Sequence, residues 1–259
     1  DTYNTAVGYA AGNAITSGVQ NTIVGGEAGD ALTTGNHNVA IGFRALSAED
    51  TGNNAVAIGY YALNKQNNAS NNYNVAIGHS TLSELVGGIY NTSLGHLSGT
   101  AITSGEQNTL IGMQAGDALT TGDNNIIIGY AAAASAVDVS NEITLGNSSI
   151  SAIRAQVTSI SSLSDRRDKK DIKDSVYGLE FLESLKPVTF EWNQRDGNRV
   201  GIKDIGFIAQ DLQEVDDEYT RLVYESNPDK LEATYGRLIP VLVKAIQDLS
   251  EEVKQLKNK

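Results

Sequence analysis

The chain has 259 residues, 40% of them hydrophobic, a net charge of −12 and no cysteine. That length holds one or two domains with a core, and it excludes a disulfide framework or a thiolate metal site. The acidic balance argues against nucleic acid as a partner, because phosphate neutralisation needs lysine and arginine.

No apolar run is long enough to cross a bilayer, and no basic-then-apolar leader is present, so membrane insertion is not expected. The sequence starts at Asp1 and has a single methionine, Met113, so it reads as part of a longer protein with room for an upstream targeting segment. Charge is unevenly spread. Residues 1–163 hold three basic residues (Arg44, Lys65, Arg154) against eleven acidic ones; residues 164–259 hold sixteen against twenty. Two regimes meet near residue 163.

The first regime is a repeat. Glycine recurs at Gly8, Gly25, Gly42, Gly59, Gly78, Gly95, Gly112, Gly129 and Gly146, in steps of 17 with one step of 19. Four residues before seven of these nine glycines stands an asparagine: Asn4, Asn21, Asn38, Asn74, Asn91, Asn108 and Asn125. Between them lies a β-favouring triplet such as TAV, VAI or III. Each unit reads as turn, three-residue strand, glycine corner, short Ala/Leu segment and polar turn, with asparagine and glycine supplying the positive φ that corners need. Seventeen residues are too few for a helical hairpin but suit one coil of a β-solenoid. Coils stack at about 4.8 Å, so nine make a rod roughly 40 Å long.

So thin a coil encloses little volume, and side-by-side packing in a homotrimer relieves its poor surface-to-volume ratio. The motif NVAIG (Asn38–Gly42 and Asn74–Gly78) resembles the head repeats of trimeric adhesins and repeats of phage tail fibres.

Two details of the repeat bear on function. The longer unit runs through Asn64, Lys65, Gln66, Asn67, Asn68, Asn71, Asn72 and Tyr73, and insertions in solenoids map to exposed loops. It reads either as a harmless surface loop or as a receptor-contacting tip. The residue after the repeat glycine is often aromatic or histidine (Tyr9, Phe43, Tyr60, His79, His96, Tyr130), which predicts a ladder on one face. That ladder reads as packing or as a contact between copies. A metal held by His79 and His96 across a three-fold assembly is the less favoured reading.

Residues 148–163 read as a β-rich neck. Then Tyr177–Asn193 reads as a short amphipathic helix ended by Pro187 and followed by a strand, and Ile205–Val215 as strand, turn and helix. At the end, Ile239, Leu242, Ile246, Leu249, Val253 and Leu256 are spaced 3, 4, 3, 4, 3, the seam of a coiled coil over about 238–257. The competing reading is an amphipathic helix lying on its own domain's core.

The blocks SDRRDKKDI, GLEFLESLKPVTFEWN, GFIAQDLQEV and YGRLIPVLVKAIQDL, in that order, resemble the peptidase S74 family, the intramolecular chaperone of phage tail spikes and fibres. The family's junction motif Ser-Asp-x-Arg-x-Lys is matched by Ser164, Asp165, Arg167 and Lys169. The resemblance implies a single-turnover serine endopeptidase that cuts its own chain at Leu163–Ser164, with Ser164 as nucleophile, Lys169 as general base and no cofactor.

A serine hydroxyl needs a base, and lysine serves only when neutral. Burial and the nearby positive charge of Arg166, Arg167 and Lys170 favour that form. One departure is Asp168, where family members often carry leucine; a carboxylate there favours the charged lysine and opposes base function.

The resulting expectation has three stretches. Residues 1–147 form a trimeric, mainly β solenoid, 148–163 a neck, and 164–259 an α+β chaperone and autoprotease ending in a coiled coil. The functional expectation is a viral tail fibre or spike, assembled in the host cytoplasm and carried on the virion. It would bind a host-surface glycan or outer-membrane component. One rival is a non-cleaving bacterial adhesin head, which requires a membrane-anchoring barrel downstream, where this sequence has the heptad helix. The other is a glycan-degrading tailspike enzyme, which requires a placed carboxylate pair; Glu27, Asp30, Asp117 and Asp123 fall instead at repeated turn positions.

Overall fold

The computed structural model describes residues 3–156, 160–195, 197 and 199–258. Two compact units make up the chain, Asp1–Ile150 and Ser151–Lys259.

The first unit is a β-solenoid, as the 17-residue period predicts. Nine three-residue strands stack in parallel and in chain order: β1 Thr5–Val7, β2 Thr22–Val24, β3 Val39–Ile41, β4 Val56–Ile58, β5 Val75–Ile77, β6 Thr92–Leu94, β7 Thr109–Ile111, β8 Ile126–Ile128 and β9 Ile143–Leu145. Register follows the repeat, so that Val39 pairs with Val56 and Val56 with Val75.

Alternation along a strand sends the middle residue inward. Ile23, Ala40, Ala57, Ala76, Leu110 and Ile127 are accordingly buried, together with a column that includes Leu32, Leu85, Ile102 and Leu119. The two outward positions of every strand are Thr, Val, Ile or Leu, none of them charged. The repeat glycine is demanded by the stacking itself. Gly42 has φ 129°, and a Cβ there would lie 2.5 Å from the Gly59 carbonyl oxygen of the next coil.

The repeat asparagine does something other than expected. It is absent from the residues with positive φ; that conformation falls on the residue before it, including Gln20, His37, Tyr73, Tyr90 and Gln107. The asparagines themselves are buried from Asn21 onward and form an interior ladder. Asn21 Oδ1 accepts from the backbone N–H of Asn38 at 2.9 Å, and Asn21 Nδ2 donates to the Gly35 carbonyl at 2.9 Å. The same two bonds recur at Asn91 and Asn108. A corner residue can face water, whereas this one closes backbone groups that the thin interior would otherwise leave unpaired.

Among the described residues of 148–163 no strand is present, contrary to the expected β-rich neck; Val157, Thr158 and Ser159 lie outside the described residues. Ile150, Ile153, Ile160 and Leu163 are all exposed. Strand-favouring residues form a strand only beside a partner, and the solenoid ladder ends at β9.

In the second unit, α1 (Leu179–Ser184) stops before Pro187 and leads into β10 (Val188–Glu191), which pairs antiparallel with β11 (Lys203–Gly206). Next come α2 (Ala209–Gln213), the two-residue strands β12 (Val223–Tyr224) and β13 (Glu232–Ala233), and the 20-residue helix α3 (Leu238–Lys257). Leu185, Leu212, Leu222, Val223 and Leu238 make the core, with Phe181 and Phe207 packed against it.

α3 uses different faces for different purposes. Leu238, Val241 and Ala245 are its buried residues, and it packs on α1. The heptad residues Ile239, Leu242, Ile246, Leu249, Val253 and Leu256 are 40 to 70% exposed. The helix therefore lies on its own core and still leaves the seam open.

Candidate self-processing site

The junction segment folds into one tight turn. Asp165 begins it, its carboxylate accepting from the Arg167 backbone N–H at 2.9 Å, an N-cap for the 3-10 turn Arg166–Asp168. The same carboxylate grips the Arg167 guanidinium, at 2.6 Å to Nη2 and 3.1 Å to Nε. That pairing holds the Asp165 carboxyl below its ordinary range and the Arg167 guanidinium above its own.

Lys169 leaves the turn in an extended conformation, its backbone N–H still bonded to the Arg166 carbonyl. Its side chain therefore returns over the start of the segment, where Lys169 Nζ lies 2.6 Å from Ser164 Oγ. Two groups five residues apart meet because the intervening turn is capped and clamped.

The geometry suits proton transfer. A hydroxyl and an amine at 2.6 Å share one hydrogen bond in either proton state, with the ammonium donating or the serine hydroxyl donating to a neutral amine. Leu163, on the amino-terminal side of Ser164, is 82% exposed, and Ser164, Arg166, Asp168, Lys169 and Lys170 are exposed as well. The lysine's bond is made to Ser164, although Asp168 is its chain neighbour.

Residues 164–223 match the Peptidase S74 family, described as a chaperone of endosialidase. Neither the curated proteins nor the solved structures contain a match.

The matched segment begins at Ser164, spans α1 to α2 and ends at the first residue of β12; α3 lies beyond it. Inside it, the Tyr177 hydroxyl donates a short hydrogen bond to Asp217, whose carboxylate also caps the turn at Tyr219 and Thr220. This bond holds Asp217 down to about 2 and pushes Tyr177 up to about 12. Trp192, the single tryptophan, donates its indole N–H to Asp204 at 3.1 Å and lies under the Arg199 guanidinium.

The candidate receptor loop does not stand clear of the solenoid. Lys65, Asn67, Asn71 and Tyr73 are exposed and Asn64 and Asn68 half-buried, but Gln66 and Asn72 are fully buried. Asn74 Nδ2 donates to Gln66 Oε1 at 2.8 Å, and Asn72 Nδ2 donates to Glu49 Oε2 at 2.9 Å. The ladder after the repeat glycines forms from Phe43 to His96: Phe43 stacks on Tyr60 at 5.5 Å, Tyr60 on His79 at 4.9 Å, and His79 lies 5.0 Å from His96, tilted by 44°. Gly26 and Met113 separate Tyr9 and Tyr130 from it.

Sequence reasoning missed Glu49. It is fully buried in the solenoid and accepts from the N–H groups of Asp50, Gly52 and Asn68 as well as from Asn72. Burial pushes its carboxyl above the ordinary range, while those hydrogen bonds pull the other way. The signal was present: in the 17-residue column Ile15, Leu32, Glu49, Gln66, Leu85, Ile102, two polar residues replace aliphatic ones.

Proposed function

We propose that residues 164–259 are an intramolecular chaperone that helps three copies of the chain assemble and then severs itself at Leu163–Ser164, leaving the solenoid as part of a viral tail fibre or spike. The 2.6 Å contact between Lys169 Nζ and Ser164 Oγ, at the first residues of the S74 match, carries the reading.

Neutral Lys169 accepts the Ser164 hydroxyl proton as Oγ attacks the Leu163 carbonyl carbon. The Oγ–C bond forms, the C–N bond breaks, and the freed Ser164 amine takes up the proton. Water then hydrolyses the ester, giving a Leu163 carboxylate and the restored hydroxyl. A lysine in water is charged near neutral pH, and these residues are exposed in a single chain. On this reading assembly supplies the required desolvation. Arg166, Arg167 and Lys170 add positive charge, and Asp168 opposes it.

Two surfaces support assembly of copies: the open heptad seam of α3, and the uncharged outward strip of the solenoid strands. The virion then carries the solenoid, which contacts a glycan or outer-membrane component of the host surface, with the exposed part of the 64–73 loop as one candidate contact.

Expressing Ser164→Ala tests the chemistry. The expected product is one undivided chain of 27.4 kDa where the parent yields two. A Ser164→Ala chain still cut at 163/164 ends the proposal. The exposure of Ser164 and Lys169, with Asp168 adjacent, favours a second reading: a structural binding module that never cleaves, in which the parent chain also stays whole.

A further inference from the structure

The solenoid is most ambiguous at its middle. β3, β4 and β5 are three successive strands with the same sequence, Val-Ala-Ile, and the same flanking Gly. Nothing in those triplets tells β3 to pair with β4 and not with β5, because either choice puts Val on Val, Ala on Ala and Ile on Ile. No other three consecutive strands of the nine are identical.

That same stretch is where the interior stops being regular. The aliphatic column is broken by Glu49 and Gln66, the asparagine ladder by Ala55, and the repeat length by the two extra residues before Tyr73. These departures fit one another. Glu49 lies between β3 and β4, and its partners Asn68 and Asn72 lie between β4 and β5. Gln66, in that second stretch, takes the amide of Asn74, which opens β5's coil. A Cβ on Gly52 would lie within 2.6 Å of both the Asn68 carbonyl oxygen and the Glu49 carboxyl carbon, so the cluster is closely packed.

We propose that Glu49, Gln66 and Asn72 form an interior register pin, which admits only the stacking of β3 on β4 and of β4 on β5. If either intervening stretch is looped out, one half of the cluster is buried without the other. A carboxylate or amide then sits unpaired among Leu and Ala, a penalty the correct stacking avoids. The cluster is not there for stability alone, since Gln66 Nε2 and Asn72 Oδ1 are buried with no hydrogen-bond partner among the described residues. Buried polar groups that select one arrangement at a cost in stability are known from coiled-coil interfaces.

The pin lies within residues 1–163 and needs neither cleavage nor assembly, so it stands or falls apart from the proposed protease. The chain has no cysteine, so engineered pairs report without background. Val56→Cys/Val75→Cys joins native neighbours about 4.8 Å apart, inside the disulfide range; Val39→Cys/Val75→Cys joins positions two rungs apart, about 9.6 Å, outside it. Each pair is placed in the full chain and in a Glu49→Leu/Gln66→Leu background, unfolded, refolded under reducing conditions at low concentration, and then oxidised.

With the pin intact, only the 56/75 bridge is expected to close within a chain. Without it, the intramolecular 39/75 bridge rises at least several-fold. If it stays at the level of the intact chain, the proposal is overturned. If the double-leucine chain does not regain its β signal, Asn72→Ala decides the question by the same readout: a rise in the 39/75 bridge supports the pin and no rise overturns it.

Discussion

Asn91 gives its side-chain oxygen to the backbone N–H of Asn108 at 3.0 Å and its side-chain amide to the Gly105 carbonyl at 2.8 Å. One residue thus joins two coils and closes its own. Replacing it by alanine leaves a buried N–H and a buried carbonyl without partners. Asn91→Ala should cost about 2–4 kcal/mol of stability in denaturant unfolding. A loss below about 0.5 kcal/mol, the size of an ordinary surface change, contradicts the interior-ladder role.

Glycine is required at some repeat positions and not at others. Gly42→Ala meets both φ 129° and the Gly59 carbonyl at 2.5 Å, and should cost about 1–3 kcal/mol or more. Gly26 has no positive φ, and its Cβ would touch only the Phe43 ring, at 3.4 Å. Gly26→Ala should change stability by no more than about 0.5 kcal/mol. Thermal melts of the pair check the contrast; equal losses refute it.

Acid should act oppositely on the two units. Asp217, Asp165, Asp204 and Asp248 are held below their ordinary value by Tyr177, Arg167, the Trp192 indole and Lys244 respectively. A lowered carboxyl contributes stability that is present above its ordinary value of 3.8 and is lost as pH falls through its folded value, about 2 for Asp217. Glu49 is raised, so its contribution is present below its ordinary value and is lost as pH rises through its folded value. Titrating downward from neutral, Trp192 fluorescence should report loss of the second unit while the far-UV β signal of the solenoid persists. Tyr177→Phe should move the Trp192 transition to higher pH. Coincident transitions contradict this account.

The two faces of α3 should separate by mutation. Ile246→Asp/Leu249→Lys alters only exposed seam positions, while Leu238, Val241 and Ala245 keep the helix on its own core. The variant should retain its helical signal and lose self-association in light scattering coupled to size exclusion. An unchanged mass refutes the seam as an assembly surface.

Much of this was legible in the sequence, for identifiable reasons. Gly42 and its equivalents gave the coil period because a 17-residue step forces the same backbone approach at every rung. Pro187 marked the end of α1 because it cannot continue a helix. The resemblance to the S74 junction motif pointed to Ser164 and Lys169, but their contact depends on the Asp165 cap and the Arg167 clamp, which the motif alone does not arrange. From sequence, Asn21 reads as a corner because asparagine tolerates positive φ, and in the fold that tendency yields to the need to pair buried backbone groups. From sequence, Gln66 and Asn72 read as part of an exposed loop, harmless or receptor-contacting, because insertions in solenoids usually bulge outward. Here the insertion turns inward to meet Glu49, whose own place in an aliphatic column shows only when the repeats are aligned on their interior positions.

On the proposed function, Lys169 deprotonates Ser164 and the chain divides at one bond. Intact-mass measurement of the refolded parent chain beside Lys169→Met tests it most directly. The parent should give a fragment of residues 164–259 with Ser164 at its new amino terminus, and Lys169→Met should stay whole. A Lys169→Met chain cut as fast as the parent at Leu163–Ser164, or a parent chain that stays in one piece after assembling, contradicts it.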